Sequence, residues 1–273
     1  MTMEFSELES ICRRIRGHLV EMSHRAKVPH LGSSLSCVEI LVSAYWGGLN
    51  LSPDRVHDVI RDRFILSKGH AATTLYAVLG LRGFFPVEWL DDFAKNGGRL
   101  PEHPSPNCVP GVEVATGSLG HGLSLGLGMA LAARILGQKF RVLVLLSDGE
   151  CNEGTVWEAA LLAASQNVGS IAVIIDYNKW QATGRSNEVM ALQPLKEKWE
   201  AFGWYACEID GHDLEALGHV MENVPDASGK PVAVIAHTIK GKGISFMEDD
   251  NNWHYRVPSV AELVLARKEL QLE

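Results

Sequence analysis

Two polar residues lie just past the ends of apolar runs, where side chains could bind a ligand together. Asp148 follows the run 142–146 and belongs to the segment Ser-Asp-Gly-Glu at 147–150. Asn178 follows the run 171–175 and belongs to the segment Tyr-Asn-Lys-Trp at 177–180. The two residues are 30 positions apart (178 − 148). If both runs are strands of one parallel sheet, both side chains lie at its carboxyl edge.

This pair of side chains suits a hard divalent cation. Mg²⁺ takes about six oxygen ligands in a tight octahedron and is often held by a few protein groups plus substrate phosphates. Asp148 can offer a carboxylate, Asn178 an amide oxygen and Trp180 its backbone carbonyl. A diphosphate and a water would complete the shell, and Ca²⁺ or Mn²⁺ could replace Mg²⁺. A helix that starts near Gly154 would point its amides the same way, which favours a polyanion.

Each half of this motif also has an ordinary structural explanation. Asp-Gly after a strand is a common turn, and Asn after a strand is a common cap. The spacing and the repeated position at strand ends favour the cation site over these explanations. The sequence contains no His-Glu-x-x-His pattern, so a histidine-based zinc centre is not expected.

Short β-branched runs alternate with longer helical patterns along the chain. This alternation predicts an α/β fold with a doubly wound, mostly parallel sheet and helices on both faces. The predicted strands are 63–67, 141–147, 171–176, 205–210 and 232–238. The predicted helices are 4–27, 37–46, 71–81, 87–94, 123–136, 155–167, 195–202, 214–223 and 260–270.

Two long connections, 97–117 and 177–194, interrupt this alternation. Loops of this length in a compact domain are usually functional. The chain shows no internal repeat, low-complexity tract or linker between domains. We therefore expect residues 1–273 to form a single domain.

The overall composition excludes several classes of partner. The net charge of −8 and a pI of about 5.8 argue against general nucleic-acid binding. Five scattered cysteines without a Cys-x-x-Cys pair indicate reduced thiols in a cytoplasm. The first residues show no secretory signal, and the apolar runs are too short to cross a bilayer. We expect a cytoplasmic protein without membrane or nucleic-acid partners.

Blocks along nearly the whole chain resemble those of transketolases, in transketolase order. They are VPHLGS at 28–33, LSKGHA at 66–71, PEHP at 101–104, GVEVATGSLGHG at 111–122, EG at 153–154 and IDGHD at 209–213. The spaced Asp148 and Asn178 resemble the thiamine-diphosphate signature Gly-Asp-Gly…Asn, with Ser147 in place of the first glycine. The segment TIKGKG at 238–243, followed by Trp253-His254, resembles most the stand-alone N-terminal halves of split transketolases.

The resemblance implies catalytic roles for four histidines. His70 and His212 are expected to line the diphosphate and thiazolium side of thiamine diphosphate. His30 and His103 are expected to face the sugar hydroxyls and to help move protons at the carbonyl. Imidazole titrates near neutrality and suits this task. Three more histidines lie near the motifs without an assigned role: His121, His237 and His254.

The resemblance also implies the cofactor and metal contacts. The loop at Gly117, Ser118 and Leu119 is expected to contact the central part of the cofactor, with Ser118 where proline is usual. The other expected cofactor-binding residues are His70, Asp148, Gly149, Glu153, Asn178 and His212. The expected metal ligands are Asp148, Asn178 and Trp180. Glu153 and Glu158 resemble glutamates that join a carboxylate network across the dimer interface in the family.

Transketolases pass a two-carbon glycolaldehyde unit from a ketose to an aldose, with thiamine diphosphate as the electron sink. In the family, the glutamate that protonates the aminopyrimidine ring and the aromatic residues that clamp it lie on a separate pyrimidine-binding domain. Full-length chains carry that domain after the region resembled here, whereas this sequence ends at Glu273. We therefore expect an obligate C-terminal partner subunit carrying it, in an α₂β₂ assembly that acts on sugars or sugar phosphates.

Three alternatives remain open at this point. A 1-deoxyxylulose-phosphate synthase fragment and a 2-oxoacid dehydrogenase α subunit share the metal signature, although the blocks at 66–70, 101–104 and 209–213 favour transketolase. A non-enzymatic module that keeps the fold is the third. The donor sugar is also open among pentose phosphates, branched-sugar phosphates and sulfosugars.

Overall fold

A five-stranded parallel sheet forms the centre of the fold, in the order β1-β2-β3-β5-β4. The computed structural model describes residues 4–272. The strands are β1 (Arg63–Leu66), β2 (Val142–Ser147), β3 (Ile171–Tyr177), β4 (Tyr205–Asp210) and β5 (Val232–His237). Each strand agrees with its prediction to within one residue at either end. The predicted parallel α/β fold is confirmed.

Ten α-helices surround this sheet within the described residues. They are α1 (Phe5–Ala26), α2 (Leu31–Ser36), α3 (Val38–Ser43), α4 (Ala72–Arg82), α5 (His121–Ile135), α6 (Gly154–Ser165), α7 (Ser186–Val189), α8 (Leu195–Ala201), α9 (Leu214–Glu222) and α10 (Val260–Glu269). Short 3₁₀ turns occur at Pro53–Arg55, Gly69–Ala71, Val87–Asp92, Asp148–Asn152 and Asn251–His254. None of the helices between residues 4 and 272 combines the length and hydrophobicity needed to span a bilayer.

Two helix predictions are wrong in detail. The predicted helix 37–46 is shorter, because α3 ends at Ser43 and Ala44–Gly48 forms a π-helical turn. An additional helix, α2, precedes it despite the low helix propensity of Gly-Ser-Ser at 32–34. Buried polar contacts made by residues of α2 override that propensity, as described below. The predicted helix 87–94 is a 3₁₀ turn that ends before Ala94, whose φ of 52° is left-handed.

The sheet separates two layers of buried apolar side chains. The layer with α1, α3, α4, α9 and α10 contains Leu143 and Leu145 of β2, and the layer with α5, α6 and α8 contains Val142, Val144 and Leu146. Strands β2 and β3 are buried along their whole length. Their continuous apolar runs follow from this coverage on both faces. The assignment of residues 1–273 to one domain stays a prediction, since positions 1–3 and 273 lie outside the described residues.

Two glycines let α5 lie directly against the sheet. A Cβ on Gly122 would be 2.3 Å from Ser67 Oγ, and a Cβ on Gly126 would be 2.7 Å from Val144 Cγ2. This close approach brings the start of α5, and the loop before it, to the carboxyl end of β1. The candidate site lies at this edge of the sheet.

Candidate functional site

Asp148 starts the turn Asp148–Asn152 at the carboxyl end of β2. A reciprocal cap closes this turn: Ser147 Oγ accepts from the Glu150 N–H at 3.3 Å, and Glu150 Oε2 accepts from the Ser147 N–H at 2.8 Å. Ser147 stands where the family pattern has glycine, and it acts here as the N-cap of the turn. The family's glycine is therefore not required for this backbone geometry.

The carboxylate of Asp148 receives three hydrogen bonds. Its Oδ1 accepts from the Gly149 N–H at 2.8 Å, and its Oδ2 accepts from the Lys179 N–H at 3.0 Å and the Ser186 hydroxyl at 2.7 Å. Burial raises the pKa of Asp148 to about 6. Within residues 4–272 the carboxylate forms no ion pair. A buried carboxylate without a cationic partner is costly, and a bound cation would relieve that cost.

Asn178 follows β3, which pairs with β2, and the next residue, Lys179, donates its N–H to Asp148 Oδ2. Asn178 Oδ1 accepts from the Trp180 N–H at 3.1 Å, while its Nδ2 is 3.3 Å from Asp176 Oδ2. The Trp180 ring is held by Arg185, whose guanidinium lies 3.7 Å from the ring centroid. The side chains of Asp148 and Asn178 and the Trp180 carbonyl are oxygen donors of the kind that Mg²⁺ prefers. Together with the unpaired carboxylate, this donor set fits a magnesium ion.

A fully buried ion pair lies behind these ligands. The ammonium of Lys68 donates to Asp176 Oδ2 and, at 2.8 Å, to the Ser33 carbonyl of α2. Ser36 Oγ donates to the same carboxylate at 2.6 Å, and Thr238 Oγ1 donates to its other oxygen. Burial opposes the charge on Asp176, but Lys68 and these hydrogen bonds hold its pKa below the usual range. Through these contacts the Asp176 carboxylate of β3 binds residues of α2 and residues that directly follow β1 and β5.

Three histidines form a cluster next to this ion pair. The ring centroid of His30 is 5.4 Å from that of His70 and 4.8 Å from that of His254. The rings of His70 and His254 are 6.2 Å apart. Two of these residues, His30 and His70, are predicted site residues, whereas His254 had no assigned role. The structure therefore adds His254 to the candidate site.

Burial keeps the rings of the cluster neutral. It lowers the pKa of His30 to about 4 and that of His254 to about 3, and it lowers the pKa of His70 well below its usual value. Nearby lysines act in the same direction, because Lys68 and Lys240 are cations close to the rings. Among the hydrogen-bond partners available in residues 4–272, none reaches the buried Nδ1 of His30. That atom is free to bind a polar ligand.

His103 and the predicted cofactor loop adjoin the cluster. A Cβ on Gly117, whose φ is 138°, would be 2.8 Å from His103 Cδ2. A Cβ on Gly69, next to His70, would be 2.7 Å from the Gly117 nitrogen. The Thr116 N–H donates to the Pro104 carbonyl at 3.2 Å. The blocks that contain His70, His103 and Gly117 are therefore in contact.

Glu150 ties the cofactor loop to the end of β2. Its Oε1 accepts from the Gly120 N–H at 2.9 Å and from the Ser67 hydroxyl. Ser118 and Leu119 precede this anchor and are exposed, with Ser118 Oγ 3.2 Å from His121 Nδ1. The Glu153 side chain lies against Gly120, since a Cβ there would be 2.6 Å from Glu153 Cβ. Glu158 lies on α6 and is exposed.

His212 lies apart from the histidine cluster, after the edge strand β4. Its Nδ1 is 3.0 Å from Glu39 Oε2, and its Nε2 accepts from the Ile239 N–H at 2.9 Å. Both ring nitrogens therefore have protein partners. His212 and Lys179 line a depression of about 510 Å³ beyond β4 and β5. The predicted contact between His212 and the cofactor stays a prediction.

Sequence reasoning missed five residues that shape this site. They are Lys68, Glu150, Asp176, Lys240 and His254. All five lie within or beside segments that carry a family block or the Asp-Gly motif, which is the only signal that could have identified them.

Comparisons with known proteins identify the family of this chain. The family model described as transketolase, thiamine diphosphate binding domain, matches residues 9–273. The chain is 38% identical over 270 residues to an apulose-4-phosphate transketolase subunit from Phocaeicola vulgatus, covering 99% of this chain and 95% of that protein. It is also 38% identical over 248 residues to the 6-deoxy-6-sulfo-D-fructose transketolase subunit SqwG of Clostridium sp., covering 91% and 90% respectively.

A solved structure supports the same family assignment. The crystal structure of transketolase from Campylobacter jejuni matches with a TM-score of 0.93 at 28% identity and covers 99% of this chain. This chain spans 44% of the length of that transketolase. The predicted transketolase resemblance is confirmed. The chain belongs to the transketolase family of enzymes, which it matches through the family's thiamine diphosphate binding domain.

Proposed function

We propose that this chain is the N-terminal subunit of a two-chain transketolase and that it is active only with a C-terminal partner subunit. Two relatives named as subunits are matched over 95% and 90% of their length, whereas the transketolase chain from Campylobacter jejuni is matched over 44%. The partner would carry the pyrimidine-binding domain, in an α₂β₂ assembly. We also propose a cytoplasmic location, which rests on five unpaired cysteines.

The main structural support for thiamine-diphosphate chemistry in this chain is the buried Asp148 carboxylate, which forms no ion pair within residues 4–272. Asp148, Asn178 and the Trp180 carbonyl would hold Mg²⁺, and the start of α6 after Glu153 would favour the diphosphate. Gly117, Ser118 and Leu119 would contact the middle of thiamine diphosphate, and His70, Gly149 and His212 would complete the contacts. Bound thiamine diphosphate would supply the electron sink for breaking the bond beside a ketose carbonyl.

Two histidines of this chain would handle the substrate's protons. A neutral imidazole can accept a proton at one nitrogen and donate at the other. His30 offers a buried Nδ1 without a partner, and His103 lies against the cofactor loop. We assign both to the sugar hydroxyls and the carbonyl oxygen. Both residues are half-buried, which limits their contact with bulk water and strengthens hydrogen bonds to the substrate.

We propose that the donor is a ketose with a terminal anionic group. The relative from Phocaeicola vulgatus is named for apulose-4-phosphate and that from Clostridium sp. for 6-deoxy-6-sulfo-D-fructose. A phosphate and a sulfonate are both tetrahedral anions at the end of the sugar. With either kind of donor, the complex that contains this chain would transfer a two-carbon ketol unit.

The decisive experiment is co-purification with a partner chain that carries the pyrimidine-binding domain. The complex, with thiamine diphosphate and Mg²⁺, is assayed with pentose phosphates, branched-sugar phosphates, sulfosugars and pyruvate as donors. Ketol transfer that requires both chains supports the proposal. Normal turnover by this chain alone would refute the obligate partner. Turnover of pyruvate but of no ketose would favour a 2-oxoacid dehydrogenase or deoxyxylulose-phosphate synthase activity.

A further inference from the structure

Lys240 contacts His254, one of the three histidines without an assigned role. The side chain of Lys240 is fully buried. Its ammonium lies 3.1 Å from His254 Nδ1 and 2.7 Å from Asn251 Oδ1. A buried ammonium is costly unless its N–H groups find acceptors. Both contacts are therefore expected to be hydrogen bonds that Lys240 donates.

The donor role of Lys240 fixes the proton on the His254 ring. A lysine ammonium has three N–H donors and no acceptor. His254 Nδ1 must therefore accept, and a neutral ring then carries its proton on Nε2. Burial, together with Lys240, lowers the pKa of His254 to about 3, so the ring is neutral at physiological pH. Burial lowers the pKa of Lys240 only to about 8, so its ammonium remains mostly charged there.

The surrounding backbone holds both side chains in place. The His254 carbonyl accepts from the His30 N–H at 2.8 Å. The Gly32 carbonyl accepts from the Gly241 N–H at 2.9 Å. A Cβ on Gly32 would be 3.1 Å from Lys240 Cγ, so the absent side chain leaves space for the lysine stem. The contact between Lys240 and His254 is therefore built into the fold.

We propose that Lys240 is a positioning residue that holds His254 in the Nε2–H tautomer, so that His254 serves the histidine cluster as a hydrogen-bond donor. His254 Nε2 would donate to an oxygen of the bound ketose or cofactor. That second statement rests on the proposed function, whereas the tautomer does not. A purely structural Lys240 would stabilise the fold without controlling the ring proton.

The tautomer is measured directly by NMR of the full chain labelled with ¹⁵N-histidine. Two-bond couplings between the ring protons and nitrogens show which nitrogen carries the proton, and the variant His254→Gln assigns the signal. We expect a neutral His254 ring with the proton on Nε2 in the unsubstituted chain. A proton on Nδ1, or a mixture of both tautomers, would overturn the inference. This measurement does not depend on whether any Lys240 variant folds.

Lys240 variants separate positioning from stability. Lys240→Met removes the donor and is expected to give a mixture of tautomers, whereas Lys240→Arg keeps a donor-only cation and should restore Nε2–H. Lys139→Met, which removes an exposed lysine, is the matched control and should leave the His254 signal unchanged. A folded Lys240→Met chain with an unchanged tautomer would contradict the inference.

Activity of the assembled complex distinguishes this inference from the proposed function. We expect Lys240→Met to lower kcat by about tenfold or more and Lys240→Arg to recover most of it. Ketol transfer with a His254 proton on Nδ1 would refute the positioning role and leave the function intact. The expected tautomer in a complex without ketol transfer would refute the function and leave the positioning role intact.

Discussion

The backbone N–H of Lys179 donates to Asp148 Oδ2 at 3.0 Å, and this bond joins the two turns that carry the proposed metal ligands. Lys179 directly follows Asn178 and adopts a left-handed φ of 70°. The bond thus sets the separation between the ends of β2 and β3 by protein contacts alone. Because this bond already fixes how far apart the two turns lie, we expect little reorganisation to oppose binding of a cation by the proposed ligands.

Two glycines of α5 provide a test of the packing that positions the cofactor loop. A Cβ on Gly122 would overlap Ser67, with its backbone Cα only 2.9 Å away, whereas a Cβ on Gly128 meets nothing within 4 Å. We expect Gly122→Ala to lower the free energy of unfolding by about 1–3 kcal/mol. The matched control Gly128→Ala should raise it by up to about 1 kcal/mol. Equal effects in urea denaturation would show that α5 does not lie close to β1.

Variants of Ser147, which stands where the family pattern has glycine, test whether its side chain caps the turn. As the N-cap of the turn Asp148–Asn152, its hydroxyl accepts from the Glu150 N–H. Ser147→Ala should lower the free energy of unfolding by about 1 kcal/mol, and Ser147→Gly by only a few tenths, since glycine is tolerated at this position. Thermal unfolding of both variants measures the difference. A glycine variant as unstable as the alanine variant would argue against the capping role.

The buried pair of Lys68 and Asp176 is expected to dominate the local stability. Asp176→Asn leaves the Lys68 ammonium buried without its counter-charge and should lower the free energy of unfolding by about 3–5 kcal/mol. The double variant Lys68→Met/Asp176→Asn should lose less than the sum of the two single variants. Chemical denaturation of the four proteins measures this coupling. Additive losses would mean that the two charges do not depend on each other.

The neutral histidines predict a loss of stability in acid. The unfolded chain titrates histidine near pH 6.5, while burial lowers the pKa of His30, His70 and His254 in the folded chain. Between pH 6.5 and about 3, the folded-state pKa of His254, these histidines therefore bind more protons in the unfolded state, and their contribution to stability is lost as the pH falls through that window. Denaturation curves at several pH values should show a shallower decline for His254→Gln. If the stability of the unsubstituted chain and of His254→Gln declined equally with falling pH, His254 would be solvent-exposed and not part of the cluster.

The strands, and the position of Asp148 and Asn178 after β2 and β3, could be predicted because buried strands appear in the sequence as apolar runs. Strands β2 and β3 are covered on both faces, so they appear as uninterrupted apolar runs. Polar residues just past such runs are expected at the carboxyl edge of the sheet. Asp148 and Asn178 follow from that rule and from their spacing.

The contacts behind the ligands could not be predicted, because they join distant segments. Lys68 and Asp176 are 108 positions apart, and Ser36 reaches Asp176 across 140 positions. The periodicity of the sequence carries no information about such pairs. The same limit applies to the histidines: His212 lies in a clear family block, yet His254 is the one that packs against His30.

The most direct test measures thiamine diphosphate binding by the assembled complex in the presence of Mg²⁺. Isothermal titration is performed with Asp148→Ala, with Asn178→Ala and with Asp54→Ala, an exposed control outside the site. We predict that each of the first two variants weakens cofactor binding by about tenfold or more, or about 1.4 kcal/mol, while the control binds normally. Undiminished affinity in either Asp148→Ala or Asn178→Ala would contradict the proposed magnesium and diphosphate site.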